Sequence, residues 1–334
     1  MRGFRKLLLP FSWLYGLVIF LRHFLFDTGV FTSKKYHIPI ICVGNLRVGG
    51  TGKTPMVEYL LNLLKETHNV AVLSRGYKRK TSGFLLASVG CNAETLGDEP
   101  FQYFSKFKGV SVAVDENRQR GIETLLQLKD PEVIVLDDAF QHRKVEAGLN
   151  ILLTAYGDLF VDDFLLPAGN LRDLKSRATK AQIIMVTKCP ENISVENQQH
   201  IKKKLNVSSG QKVFFSNVLY DSFVFSEGDT ASLESFCQRP FTLVTGIANA
   251  TPLVAFLKKN DARFEHLEFS DHHYFSEDEI KMLKTKSLVL TTEKDYGRLK
   301  SELPGLYYLP IKAQILGDQS VFNQLILYFI KKAR

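Results

Sequence analysis

The stretch Val43-Gly44-Asn45-Leu46-Arg47-Val48-Gly49-Gly50-Thr51-Gly52-Lys53-Thr54-Pro55 constrains this chain more than any other. An apolar strand over residues 38–43 runs into a glycine-rich loop ending in Gly-Lys-Thr, and a helix is predicted behind it over residues 56–66. Glycines let successive backbone N–H groups turn inward around an anion, and the lysine adds a point charge. The threonine hydroxyl can ligate Mg²⁺, and the helix aims its positive end at the same oxygens. The loop reads as a nucleotide-phosphate site, with Arg47, Val48, Gly49, Gly50, Thr51, Gly52, Lys53 and Thr54 as the nucleotide-binding residues. It departs from the common pattern twice. Arg47 stands where that pattern has glycine, and Val48 where a second class of phosphate loop has lysine. A glycine-rich turn without a ligand is the bland alternative; the strand before it and the helix behind it argue against that.

With 334 residues, 45% of them apolar and 23% charged, the chain can bury a large core and is expected to form two domains. Cys42, Cys91, Cys189 and Cys237 lie far apart with no Cys-x-x-Cys pair, which argues against a zinc site or a disulfide framework and fits a reducing compartment. The net charge of +8 suggests an anionic partner: anionic lipid, a phosphorylated substrate or nucleic acid. Its placement narrows the choice. Arg2, Arg5 and Lys6 precede an aromatic-rich apolar run over residues 7–21, and Arg22 and His23 follow it, a pattern of membrane contact. That run of about 15 residues is short against the ~20 needed to span. No small-residue cleavage site follows it before Lys34. A span with its basic end inside would also carry the phosphate loop away from ATP. The expectation is a membrane-associated helix with the catalytic body in the cytoplasm.

Past residue 36, short β-branched runs alternate with helical patterns, which predicts an α/β fold: a mostly parallel sheet of the P-loop type with helices on both faces. Strands are expected over 38–43, 70–73, 110–114, 133–136, 149–153 and 183–186. A second series is expected over 212–215, 242–244, 266–269, 287–290 and 306–309, beyond a polar stretch at 190–210. The division predicted is a membrane-associated helix over 1–30, a P-loop domain over 31–213, and a smaller α/β domain over 214–334 whose C-terminal segment can pack back on the first.

In such sheets ligands sit outside the carboxyl ends of strands. The strand over 133–136 ends in Asp137-Asp138, which beside a phosphate loop places a carboxylate toward Mg²⁺. Strand neighbours point to opposite faces, so one of the two addresses the metal while the other holds a loop or a basic residue. The strand over 70–73 runs into Ser74-Arg75-Gly76-Tyr77-Lys78-Arg79-Lys80, cations and an aromatic suited to a phosphorylated or sugar-containing substrate, or simply a basic surface loop. Asp98, in Gly97-Asp98-Glu99-Pro100, can take a proton from an attacking hydroxyl or cap a helix, and Arg118 follows another strand end. For Asp271-His272-His273 in the second domain, acid–base catalyst, metal ligand and surface turn stay open, zinc being weakest for want of further ligands.

Taken with Asp137-Asp138-Ala139-Phe140-Gln141-His142, Leu166-Pro167-Ala168-Gly169-Asn170-Leu171-Arg172-Asp173, Gly246-Ile247-Ala248-Asn249 and Thr292-Glu293-Lys294-Asp295, these motifs resemble, in order and over nearly the whole chain, the tetraacyldisaccharide 4′-kinases of lipid A biosynthesis. The resemblance implies phosphoryl transfer from ATP, with Mg²⁺, to the 4′-hydroxyl of an acylated glucosamine disaccharide 1-phosphate at the cytoplasmic side of the inner membrane. It implies that Lys53 holds the β- and γ-phosphates, that Thr54 binds Mg²⁺, and that Asp137 and Asp138 lie at the metal side. Asp98 paired with His272 would activate the sugar hydroxyl, Asp271 orienting the imidazole. Arg75, Tyr77, Arg118, His142 and Arg172 would contact substrate or phosphate. Asp173 stands where the family usually has glutamate and, one methylene shorter, is expected to reach the metal through water. Asp98 and His272 lie in different domains, so catalysis would depend on domain closure, which excludes water.

The alternative of another class is a membrane-associated P-loop switch or partitioning ATPase without a small-molecule acceptor. Against it stand Val48, the lack of a guanine signature at Thr187-Lys188-Cys189-Pro190, and the acid–base residues of the second domain. A nucleic-acid-acting enzyme is a weaker third reading, and no nucleic-acid partner is expected.

Overall fold

In the computed structural model, which describes residues 5–333, the β-branched runs become strands β1 (Ile40–Asn45), β2 (Val70–Ser74), β3 (Leu85–Leu86), β4 (Ser111–Val114), β5 (Val133–Asp137), β6 (Leu149–Ala155), β7 (Ile183–Thr187) and β8 (Lys212–Tyr220). They continue as β9 (Phe223–Ser226), β10 (Asp229–Ser232), β11 (Phe241–Thr245), β12 (Phe264–Glu268), β13 (Val289–Thr292), β14 (Tyr307–Leu309) and β15 (Ile311–Leu316). Arg2 of the basic N-terminus lies outside the described residues.

The larger sheet runs β15-β8-β7-β6-β1-β5-β2-β4-β3 and is parallel except at its edges, where β15 pairs antiparallel with β8 and β3 with β4. Side chains of its central strands alternate between two cores. Ile40 and Cys42 of β1 join Leu136 and Leu73 on one face; Ile41 and Val43 join Val135, Ile151 and Met185 on the other. The second core is closed by the phosphate-loop helix Lys53–Leu64 through Met56, Val57, Leu60, Leu61 and Leu64, a helical-period stripe. The C-terminal helix Gln319–Ala333 adds Phe322, Ile326 and Ile330 to the same core. β2, β4 and β5 lie on one side of β1 and β6 to β8 on the other, so the strand order reverses at β1 and opens a crevice outside its carboxyl end.

The smaller sheet has the order β10-β9-β14-β13-β11-β12, with β12, β11, β13 and β14 parallel and β9–β10 an antiparallel hairpin. The expected division at 213/214 moves. It falls inside β8, which pairs with β7 and β15 in the larger sheet, so the smaller sheet is an insertion between β8 and β15. Apolar runs at 212–215 and 306–309 look alike in sequence yet join different sheets, because strand period carries no information about partner.

A buried ionic cluster ties the insertion to the phosphate-loop helix. Lys106 Nζ, at the end of the helix Asp98–Lys106, lies 2.7 Å from Glu58 and 2.9 Å from Glu293, while Gln102 donates to Glu58 at 2.8 Å. Two carboxylates share one ammonium. Burial, then the charge of Glu293, pushes the Glu58 carboxyl up to about 7 against the pull of Lys106. Between the ordinary value of about 4.5 and about 7 the folded chain therefore binds more protons than the unfolded one, and stability falls as pH rises through that window. Glu58→Gln is expected to flatten this fall in Tm; parallel Tm–pH curves for the two proteins would contradict it.

Candidate active site

The loop after β1 turns on Gly49 and Gly52, whose φ values of 101° and 82° are disfavoured for residues with a Cβ. Its polar atoms are anchored from three directions. Asn45 Nδ2 donates to Thr51 Oγ1 at 2.6 Å, Thr187 Oγ1 to the Thr51 carbonyl at 2.8 Å, and Lys188 Nζ to the Gly50 carbonyl at 2.6 Å. Lys53 Nζ stands 3.8 Å from Asp138 Oδ1. Arg172 forks onto the same carboxylate through both terminal nitrogens and donates to Asn45 Oδ1 at 2.6 Å. Asp138, at φ 50°, is thus a non-glycine residue held in the left-handed region between two cations.

Asp137 takes the other direction. It is buried, accepts a hydrogen bond from Ser74 Oγ at 3.2 Å, and is pushed up to about 7 by burial and then by the charges of Asp138 and Glu99. Among the described residues no three His, Cys, Asp or Glu side chains form a metal cage. Magnesium does not need one, since it is held by one or two carboxylates together with phosphate oxygens. The crowding of Asp137 by Asp138 and Glu99 is the charge that a cation relieves, so the Asp137–Asp138 pair fits the ion.

Three sequence expectations change. Arg47 is buried and turned away from the loop: it pairs with Asp158 and, at 2.9 Å, with Asp163, and donates to the Asp158 carbonyl at 2.7 Å. The Val48 N–H is spent on the Asn170 carbonyl at 2.9 Å. Both hold the loop in place and neither is free to bind nucleotide through these groups. Asp173, 1% exposed, accepts His23 Nε2 at 2.6 Å and the Leu174 N–H at 2.8 Å. Both bonds fall on Oδ1, leaving Oδ2 buried without a partner, and Oδ1 of Asp173 is committed to the N-terminal helix and its own chain neighbour rather than to a metal.

That helix, Leu9–Asp27, and Arg5 before it are fastened to the segment carrying Arg172 and to Gln141. Arg5 donates to the Pro167 carbonyl at 3.1 Å, Ser12 to the Leu165 carbonyl at 2.9 Å, Tyr15 to the Arg172 carbonyl at 3.2 Å and Arg22 to the Gln141 carbonyl at 2.9 Å. Phe11, Trp13, Leu14, Leu17, Phe20 and Phe24 are exposed.

Beyond the loop lies a basic basin. Arg118 is 2% exposed; one nitrogen donates to the Asp115 carbonyl at 2.8 Å, while Nε and the other terminal nitrogen are buried without a protein partner. A charge is rarely buried with idle donors unless an anion completes it. Burial, then Arg118, Arg75 and Arg22, holds the His142 imidazole down to about 4, so His142 is neutral at pH 7. Arg75, Tyr77 and Lys78 line an adjoining cavity of about 270 Å³.

The insertion supplies the remaining groups. His272 Nδ1 is 2.6 Å from Asp98 Oδ2, and the Tyr77 ring meets the imidazole edge-on with centroids 5.5 Å apart. Asp271, expected to orient that ring, is 3.9 Å from Nε2, beyond hydrogen-bond reach, and Asp98 orients it instead. Two cations complete the cluster, both on the helix Glu293–Leu299, Lys294 of a quoted motif but given no role by the sequence and Arg298 unmarked by it: Arg298 forks onto Asp98, and Lys294 Nζ lies 3.0 Å from His272 Nε2. Burial alone would raise the Asp98 carboxyl, but hydrogen bonds from His272 and Arg298 outweigh it and hold the group well below the usual carboxylate range. The one signal in the sequence is the i, i+4 spacing of Lys294 and Arg298, which puts both on one helix face.

Known proteins resemble the chain over nearly its whole length. The family model described as tetraacyldisaccharide-1-P 4′-kinase matches residues 4–331. The tetraacyldisaccharide 4′-kinases of Flavobacterium johnsoniae and Bacteroides thetaiotaomicron are 49% and 44% identical, each over 98% of this chain and over 98% and 93% of their own lengths. Among solved structures, the "apo" form of LpxK from Aquifex aeolicus in complex with ATP is similar with a TM-score of 0.80 at 32% identity, covering 98% of this chain and 99% of that one.

Proposed function

The chain belongs to the tetraacyldisaccharide-1-P 4′-kinase family, and from that premise we propose how its residues divide the work of phosphorylating the 4′-hydroxyl of a tetraacyldisaccharide 1-phosphate with ATP in lipid A biosynthesis. The observation that carries the assignment is the Asp98–His272 pair at 2.6 Å, one member from each domain. The phosphate loop and Lys53 hold the ATP phosphates. Lys53 and Arg172 neutralise charge that spreads over the transferring group, the largest requirement of phosphoryl transfer. Mg²⁺, with Thr54, Asp137 and Asp138 as its ligands, supplies further neutralisation when bound. The Asp98–His272 pair takes the proton of the sugar hydroxyl as that oxygen attacks the γ-phosphorus and ADP departs. Because the pair bridges the domains, it forms only when the insertion is closed on the sheet, and closure keeps water from the γ-phosphate.

Arg118, with Arg75, Tyr77 and a neutral His142, receives the anionic disaccharide. Arg118→Met is expected to raise KM for the lipid acceptor by about tenfold or more, the worth of a hydrogen bond to a charged group, with nucleotide affinity kept. An unchanged KM in a steady-state titration of acceptor would remove Arg118 from the substrate site.

The N-terminal helix, which continues the 3₁₀ turn Lys6–Leu8, is long and apolar enough to cross a membrane by length and composition. Its polar contacts from Arg5 to His23 run along the protein body, and this supports a helix lying on the cytoplasmic face of the inner membrane with its apolar side in the lipid. Charge on that side tests the reading without disturbing the contacts. Trp13→Asp with Phe20→Asp is expected to move the protein from sedimenting with anionic vesicles into the supernatant while nucleotide binding holds; equal sedimentation would reject the surface helix.

A further inference from the structure

The segment from Leu165 to Asp173 lies between the N-terminal helix and the phosphate loop and is bonded to both. On the loop side the Asn170 carbonyl accepts the Val48 N–H at 2.9 Å, the Arg172 N–H donates to the Leu46 carbonyl at 2.9 Å, and Leu171 forms an antiparallel bridge with Arg47. On the helix side Ser12 Oγ donates to the Leu165 carbonyl at 2.9 Å and accepts the Ala168 N–H at 3.0 Å, while Tyr15 donates to the Arg172 carbonyl at 3.2 Å. His23 makes the last of these contacts. It is 4% exposed, and its Nε2 lies 2.6 Å from Asp173 Oδ1. The other ring nitrogen faces Arg143 Nη1 at 3.4 Å. A guanidinium has only hydrogens to give, so Nδ1 presents a lone pair and Nε2 donates to Asp173. Burying an imidazole in so apolar a helix costs free energy unless both nitrogens are met, and both are. Arg172, the preceding residue, carries its guanidinium onto Asp138 and, at 2.6 Å, onto Asn45 Oδ1. Its Nε is buried without a partner, so the guanidinium is fixed only at its tip, and the placement of the backbone behind it decides where that tip stands.

We propose that His23 is a positioning residue for phosphoryl transfer: by holding Asp173 it fixes the backbone that aims Arg172 at Asp138 and at the transferring phosphate. The N-terminal helix is then part of the phosphate site as well as a membrane contact. The proposal rests on the assignment of Arg172 to charge neutralisation. His23 acts only through residues 172 and 173. Transfer is sensitive to such placement, because a misplacement of about 1 Å passed on from a distant residue can cost on the order of a hundredfold in rate. Loss of the imidazole removes the bond to Asp173 and leaves the loop-side bonds intact, so Arg172 loosens while the phosphate loop keeps its shape. Anchoring and catalysis thereby separate: the helix can keep its apolar side in lipid and still fail to support full transfer.

The test uses the full-length enzyme in detergent, with saturating Mg²⁺-ATP and a tetraacyldisaccharide 1-phosphate. His23→Leu is expected to lower kcat by about tenfold or more, the worth of a hydrogen bond to a charged group, with KM for the acceptor unchanged. In a separate assay its sedimentation with anionic vesicles should also be unchanged, since His23 is buried against the protein body. His23→Gln, whose amide nitrogen can donate in place of Nε2, should restore most of the rate. A double-variant cycle with Arg172→Met separates positioning from general loosening: if His23 acts through Arg172, His23→Leu slows the Arg172→Met enzyme little further. Should His23→Leu fail to fold by circular dichroism, His23→Asn, polar but too short to reach Asp173, takes its place in the cycle. An unchanged kcat, no rescue by glutamine, or a double variant slower by the product of the two single losses overturns the proposal and leaves the helix an anchor. If Arg172→Met itself transfers at the wild-type rate, the assignment of Arg172 fails, and the proposal with it.

Discussion

Lys53→Ala abolishes useful phosphoryl transfer, with kcat expected to fall by about a thousandfold or more while lipid acceptor binding persists. Little covalent chemistry is asked of a kinase; it positions the γ-phosphate and neutralises the charge spread over it, and each preorganised group at that point is worth on the order of 10²–10³ in rate. Lys53 opens the phosphate-loop helix and stands 3.8 Å from Asp138, which Arg172 also grips, so the ammonium is aimed at the crevice before nucleotide arrives. Its side chain is partly exposed and packs no core, so its loss leaves no cavity and the fold should hold. Lys53→Arg should rescue little, because a planar guanidinium does not replace a compact point charge. Steady-state transfer beside acceptor binding measures both quantities. A kcat within tenfold of wild type would show that the loop binds something other than the transferring phosphates.

The second large effect concerns the pair that spans the domains. Asp98→Ala and His272→Ala should each lower kcat by about 10²–10⁴, the usual weight of a positioned acid–base group. Joint removal should cost little more than the worse single change, because the two side chains act as one unit at 2.6 Å. Product of the two single losses in the double variant would mean that the two side chains act separately.

Much of this site is legible in the amino-acid sequence alone. Strand, glycine loop and Lys53, and a strand ending in Asp137-Asp138, are local patterns: period-2 burial and turn chemistry fix where the side chains emerge. β1 and β5 are neighbours in the sheet, which is why both motifs open onto one crevice. What stays hidden depends on partners distant in sequence. Arg298 lies 200 positions from Asp98 and His23 lies 150 from Asp173, and no residue pattern announces such pairs. Arg47 and Val48 sit inside the right motif and still serve as struts, since membership of a loop does not say which of its donors are already spent. The insertion between β8 and β15 escapes the sequence pattern for a similar reason: a run of apolar residues specifies a strand, whereas its sheet is decided by where the chain returns.

Asp137 and Asp138 show what neighbours in space add. By strand geometry alone, adjacent residues diverge and nothing more is specified. In the fold, Asp138 stands between Lys53 and Arg172, and Asp137 is buried against Ser74 under the charges of two other carboxylates. The expectation that one carboxylate of the pair holds a basic residue thus acquires two named cations.

Transfer of one phosphate from ATP to the tetraacyldisaccharide is read by mass spectrometry of the lipid. Purified full-length protein in detergent, given Mg²⁺-ATP and a tetraacyldisaccharide 1-phosphate, should yield a lipid heavier by one phosphate, with an equal amount of ADP. Intact nucleotide binding and ATP turnover with no phosphate gained by the lipid would contradict the account and return the chain to the ATPases that act without a small-molecule acceptor.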